Sequence, residues 1–184
     1  MKSLIPLILF LFASFSAQSE KPNIVIIFTD DQGYADLGCY GSKTNRTPRL
    51  DQLAREGTLF TSFYTQTVCG PSRSALLTGR YPCRSKGWGM PAEEITFAEL
   101  IREAGYQTAC IGKWDVSNRK AIIERMPNAQ GFDYFFGALG ANDGGTVKFH
   151  ENNRAAGSSN DMGGLTTLYT DKSIDFLKNK RDPK

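Results

Sequence analysis

The chain has 184 residues but only one histidine, His150, and two tryptophans. A single histidine argues against a His-rich metal centre. The four cysteines, Cys39, Cys69, Cys83 and Cys110, lack zinc-ligand spacing. Excess charge is also missing. Lys and Arg number 22 against 19 Asp and Glu, a net charge of +3, and no basic stripe runs along the chain. Nucleic acid is therefore not an expected partner. Beyond the first dozen residues no apolar run is long enough to cross a bilayer, so stable membrane insertion is not expected. No internal repeat is present.

The N-terminus carries a different signal. Lys2 precedes an apolar stretch from Leu4 to Phe12, interrupted by Pro6, and small residues follow. The stretch is too short for a spanning helix and reads as a secretory signal peptide over residues 1–19, cleaved after Ser16 or Ser19. No cysteine follows the apolar core, so there is no lipoprotein attachment site. A secreted or periplasmic protein is expected. Removing nineteen residues from 184 leaves 165, enough for one domain with a core. In an oxidising compartment two cysteines could pair, and the sequence does not choose which.

Strand and helix patterns alternate, which predicts an α/β fold. Asn23 to Phe28 is a continuous β-branched apolar run ending at Thr29-Asp30-Asp31. It reads as a strand buried on both faces of a parallel sheet. Thr47-Pro48 opens a helix with apolar face Leu50, Leu53 and Ala54, stopped by Gly57. Leu59 to Tyr64 reads as a short strand, and Ser74 to Leu77 as part of a helix. Thr96-Phe97-Ala98-Glu99 is a capping box opening a helix through Ala104, closed by Gly105. Tyr106 to Ile111 reads as a strand and Leu168 to Leu177 as an amphipathic helix. Residues 137–164, rich in Gly and Asn without a clear period, read as a long loop.

Three segments carry chemistry. In Cys69-Gly70-Pro71-Ser72-Arg73 a cysteine precedes a helix-forming stretch, where unpaired backbone N–H groups activate a thiol. Arg73 adds a fixed positive charge one turn away, which suits an anion beside a reactive atom. Asp30-Asp31 places two carboxylates at the end of a strand, the edge where open α/β sheets bind ligands. Their mutual repulsion is offset by a divalent cation, and hard oxygen ligands favour calcium or magnesium over zinc. Lys113 ends the strand pattern in Gly112-Lys113-Trp114. In isolation, each segment also has a plain reading as a turn, a cap or a surface lysine.

The run from Cys69 to Arg80 resembles the active-site signature of the sulfatases, in the alkaline-phosphatase-like superfamily. The match lies at Cys69, Pro71, Arg73, Leu76, Leu77 and Gly79; Thr67 departs from the small residues usual upstream. Gly105 to Trp114 resembles the second sulfatase signature. The resemblance implies a mostly parallel sheet flanked by helices. It implies that a maturation enzyme oxidises Cys69 to formylglycine, whose hydrate attacks sulfur. It also implies that Asp30, Asp31 and the residue made from Cys69 hold calcium, and that Arg73 and Lys113 bind the sulfate of a small molecule or glycan. The family commonly has histidine where this chain has Asp115. A carboxylate beside sulfate is repulsive unless protonated, paired with Lys113 or turned toward another substrate group, and Asp115 is a candidate for substrate binding. His150 reads as an exposed loop residue. Asn142-Asp143 reads as a Gly-rich turn, and Asn45-Arg46-Thr47 formally matches a glycosylation acceptor. Residues 20–184 cover about half of the domain they resemble, so a truncated chain, weak or inactive alone, is expected. Alternatives are a phosphonate or phosphate monoester hydrolase sharing the cysteine signature, or a non-catalytic secreted fragment.

Overall fold

A computed structural model of the protein describes residues 21–85 and 89–181. The targeting segment expected over residues 1–19 lies outside them. The chain divides into two units, Met1–Asp30 and Asp31–Lys184.

In the first unit, residues 23–28 form neither strand nor helix, contrary to expectation. Ile24, Val25, Ile26 and Ile27 are exposed, Ile27 by 76%. A β-branched run favours extended backbone but does not supply a pairing edge or a covering layer. The sheet of this protein is built from other segments.

The second unit holds four strands, β1 (Ala109–Lys113), β2 (Tyr134–Ala138), β3 (Val147–Glu151) and β4 (Arg154–Ser159), in the order β1-β2-β3-β4. β1 and β2 are parallel; β2–β3 and β3–β4 are antiparallel. Every residue of β2 is buried. Phe135 enters one core with Leu77, Met90, Ala98, Trp114, Val116, Met126, Phe132 and Leu139. Tyr134, Phe136 and Ala138 enter a second core with Val147, Phe149, Leu165 and Phe176. The two-residue period of a strand delivers this division. Thus β2 is the strand covered on both faces. Helices α2 (Cys69–Thr78) and α3 (Phe97–Glu103) contribute Leu77 and Ala98 to the first core, and α4 (Leu165–Asp175) contributes Leu165 to the second. The result is an α/β fold with a mixed sheet between helical layers.

Residues 137–164 are not the irregular loop their composition suggests, because β3 and β4 form a hairpin within them. Its turn is Asn152-Asn153, and Asn152 adopts a left-handed φ of 51°. Asparagine tolerates this conformation better than most residues. The Asn152 side chain also accepts hydrogen bonds from the Phe135 N–H at 3.0 Å and from the Asn128 amide at 3.2 Å. That ties the turn to β2.

Leu59 to Tyr64 forms no strand. Two tyrosines take the place of a strand ladder. Tyr34 Oη donates to the Phe63 carbonyl and accepts from the Phe63 N–H, both at 2.8 Å, and Tyr40 Oη donates to the Phe60 carbonyl at 2.7 Å. Helix α1 spans Pro48–Glu56 with Thr47 before it, as the sequence predicts, but Thr47 makes no capping bond. Its hydroxyl instead accepts from Gly38 N–H at 2.8 Å and donates to Asp51 at 3.0 Å. In α3 the capping box forms fully. Thr96 Oγ1 accepts from Glu99 N–H and Glu99 accepts from Thr96 N–H.

Candidate functional site

Helix α2 begins at Cys69, preceded by extended Val68, and ends at Gly79 with a left-handed φ of 64°. Pro71 sits in the first turn, where its missing N–H costs nothing. The Ser72 hydroxyl accepts from the Gln66 N–H at 3.1 Å and donates to the Val68 carbonyl at 2.9 Å. These bonds pin the entry to the helix and with it the half-buried Cys69 thiol. One turn on, Arg73 reaches across to β1, and its Nη1 donates to the Lys113 carbonyl at 2.7 Å.

β1 carries Lys113 at its C-terminal end. Trp114 follows, buried, donating from its main-chain N–H to the Ala138 carbonyl at 2.8 Å and from Nε1 to the Arg125 carbonyl at 2.9 Å. The chain then turns sharply, because Asp115 has a left-handed φ of 52°. The turn sends the Asp115 side chain back over the start of α2. Cys69 Sγ donates to Asp115 Oδ2 at 3.0 Å, and Lys113 Nζ lies 3.7 Å from the same oxygen. Arg119 Nε donates to Oδ1 at 3.1 Å. Of the options open to this carboxylate, pairing with Lys113 is the one the fold adopts. Arg119 was not foreseen; an aspartate four residues before an arginine is its only trace in sequence.

The charge balance follows from these contacts. Lys113 and Arg119 both pair with the Asp115 carboxylate, and Arg73 is bonded to the Lys113 carbonyl. The side chains of Lys113 and Asp115 are 6% and 0% exposed. Charged side chains of both signs thus stand beside a half-buried thiol, and water screens the inner Lys113–Asp115 pair weakly. Cys110, on β1 behind Arg73, behaves differently. Burial pushes its thiol up to about 12, with the Arg73 charge pulling the other way. It is a packing residue.

Asp30 belongs to the first unit. Asp31 opens the second, exposed, with a left-handed φ of 53°. The carboxylates suit a hard divalent cation chemically. Among the described residues, no three His, Cys, Asp or Glu side chains come together to enclose one. His150 is not in a loop. It lies on β3 opposite Gly137, half-buried, and burial lowers its pKa. Asn142-Asp143 lies in the bends between β2 and β3, where Asn142 Oδ1 accepts from Tyr169 Oη at 3.4 Å.

Comparison with known proteins places this geometry in a lineage. The "Sulfatase" family model matches residues 22–184. The chain is 44% identical to human arylsulfatase A over 151 residues, covering 75% of this chain and 29% of that protein. It is 41% identical to human steryl-sulfatase over 150 residues, covering 71% and 26%. The solved structure of BT4656 in complex with its substrate D-glucosamine-2-N,6-O-disulfate superposes with a TM-score of 0.73 at 32% identity, covering 89% of this chain and 32% of that one. The chain thus spans between a quarter and a third of these relatives' lengths. With a family match over nearly all the described residues and the cysteine, arginine and lysine of both signatures in one cluster, the chain belongs to the sulfatase family.

Proposed function

We propose that this chain carries the nucleophile-bearing part of a secreted or periplasmic enzyme that hydrolyses sulfate esters of a glycan. Cys69 is the residue oxidised to formylglycine by a maturation enzyme. The observation that carries the reading is the convergence of Cys69, Arg73, Lys113 and Asp115 into one charged cluster where α2 begins and β1 ends. A relative crystallised with a doubly sulfated glucosamine supports a sulfated sugar as substrate. The signal-like N-terminus supports export.

When formed, the aldehyde hydrate at position 69 supplies a hydroxyl nucleophile for sulfur. Asp115 Oδ2, now within 3.0 Å of the thiol, is placed to accept a hydrogen bond from an oxygen at that position. Arg73 is held by the Lys113 carbonyl, so its guanidinium is oriented before substrate arrives. Lys113 and Arg73 bind the sulfate oxygens and stabilise the charge that develops on them in the transition state. Asp115 balances Lys113 and keeps its ammonium in place. Asp30, Asp31 and the oxidised side chain would be the residues to hold calcium, which would supply positive charge against the sulfate ester.

The test combines mass spectrometry and kinetics on the full chain expressed with a formylglycine-generating enzyme. The peptide containing Cys69 should carry the aldehyde, and 4-nitrophenyl sulfate should be cleaved weakly, since the chain spans under a third of its relatives' lengths. Arg73→Gln should lower kcat by about a hundredfold or more. A Cys69 that stays a thiol under these conditions, or full activity in Cys69→Ala, would reject the reading. Faster turnover of phosphonate monoesters than of sulfate esters would assign the site to that related chemistry instead.

A further inference from the structure

The sulfate cluster explains Arg73 and Lys113, but it leaves Arg119 without a task. Arg119 is tied into the cluster from outside. Its Nε binds Asp115 Oδ1 at 3.1 Å while its side chain stays 55% exposed. No other hydrogen bond or ion pair engages it among the described residues, so a guanidinium with five N–H donors keeps donors to spare on a half-exposed side chain. The stem is also fixed. Gly140, just after β2, leaves room for it: a Cβ there would stand 3.3 Å from Arg119 Cγ and 3.5 Å from Cβ and Cδ. The backbone is held in an uncommon conformation at both Asn118 and Arg119, with φ of 53° and 58°. For an arginine that conformation has a cost, and such outliers concentrate where a side chain is aimed at something.

A guanidinium fixed by one edge and open at the other is a receptor for a planar or tetrahedral oxyanion. It stands one carboxylate and two hydrogen bonds from the Cys69 sulfur. We propose that Arg119 is a specificity residue that binds a second oxyanion on the substrate, a carboxylate or a further sulfate, on the sugar that carries the scissile ester or on the sugar linked to it. This rests on the sulfatase reading for the identity of the first anion. Exposure makes the contact a selector among substrates more than a source of rate, because the scissile sulfate is held by Arg73 and Lys113.

The test is calorimetric binding to the full chain with Cys69 left as a thiol, so that no turnover is needed. Two ligand pairs are compared. The first is a disaccharide with one 6-sulfate and one uronate, against its carboxyl-reduced form. The second is glucosamine 2-N,6-O-disulfate against N-acetylglucosamine 6-sulfate. The unaltered protein should favour the doubly charged member of at least one pair by about tenfold, and the preferred pair names the second anion. Arg119→Gln should bring that ratio to within about twofold, and Arg119→Lys should keep part of it, as a point charge does. The inference is overturned if the unaltered protein shows no preference in either pair, or if Arg119→Gln weakens both members equally. Hydrolysis of 4-nitrophenyl sulfate by the matured protein is scored separately, so the sulfatase reading can stand when this one falls.

Discussion

Asp115→Asn tests the electrostatic account of the site most directly. The substitution keeps volume and an acceptor for the Cys69 thiol but removes the charge. Two cations lose a partner, unequally. Arg119 is 55% exposed, so water and salt already screen its ion pair, and about 0.5 kcal/mol is at stake. Lys113 is 6% exposed and faces a carboxylate that is fully buried, 3.7 Å away. Removing one partner of a buried pair typically costs ~3–5 kcal/mol, and the retained amide favours the lower end. We therefore expect the unfolding free energy of the full chain to fall by about 3 kcal/mol, a large share of a typical total of ~5–15 kcal/mol. Urea unfolding at neutral pH reads this as a shift in midpoint with unchanged slope. High salt should leave most of the loss in place, because the inner pair is shielded from solvent. Millimolar sulfate should restore Asp115→Asn more than it stabilises the unaltered protein, since the substitution removes a negative charge from beside Lys113 and Arg119. In a double-mutant cycle with Lys113→Met the two changes should be non-additive by about 2 kcal/mol. A loss below about 0.5 kcal/mol, or strict additivity with Lys113→Met, would refute the claim that this carboxylate anchors the lysine.

Other expectations follow from packing and titration. Gly137→Ala would place a Cβ against the Gly112 carbonyl, so the β1–β2 pair must open. A cost of about 3 kcal/mol in urea unfolding, with reduced sulfate binding because Lys113 ends β1, is the expected outcome. Thr96→Ala removes the α3 cap and the 2.7 Å bond from Thr96 Oγ1 to the buried Gln130 carbonyl. It should cost about 2 kcal/mol in the same assay. Iodoacetamide at pH 8 should label exposed Cys83 well before Cys110, as peptide mass spectrometry would report. Cys110 has its folded pKa raised from 9.0 to about 12, so it favours the folded state fully below pH 9. That contribution should be lost as pH rises from 9 to 12, visible as a falling unfolding free energy across that window.

What the sequence determined by itself is local and chemical. The capping box at Thr96-Glu99 names both partners of a bond that forms within four residues, and it forms as read. Pro48 and Gly57 bracket α1 for the same reason. The Cys69 and Lys113 signatures could be read because the chemistry of each needs particular side chains at short spacing. Only the tertiary structure decided the rest, wherever an outcome depended on a distant partner. The apolar run at 23–28 looks more like a buried strand than Tyr134–Ala138 does, yet β2 is the strand that finds neighbours on both edges and cores on both faces. The hairpin of β3 and β4 hides in a Gly- and Asn-rich stretch, because pairing across a turn and anchoring to β2 outweigh weak propensity. The sequence left Asp115 with three options. The choice fell to a left-handed turn after Trp114, which sets the carboxylate among Cys69, Lys113 and Arg119. Electrostatic partners of a buried charge are a property of the folded chain, because Cys69 and Asp115 are 46 residues apart along it and 3.0 Å apart in space.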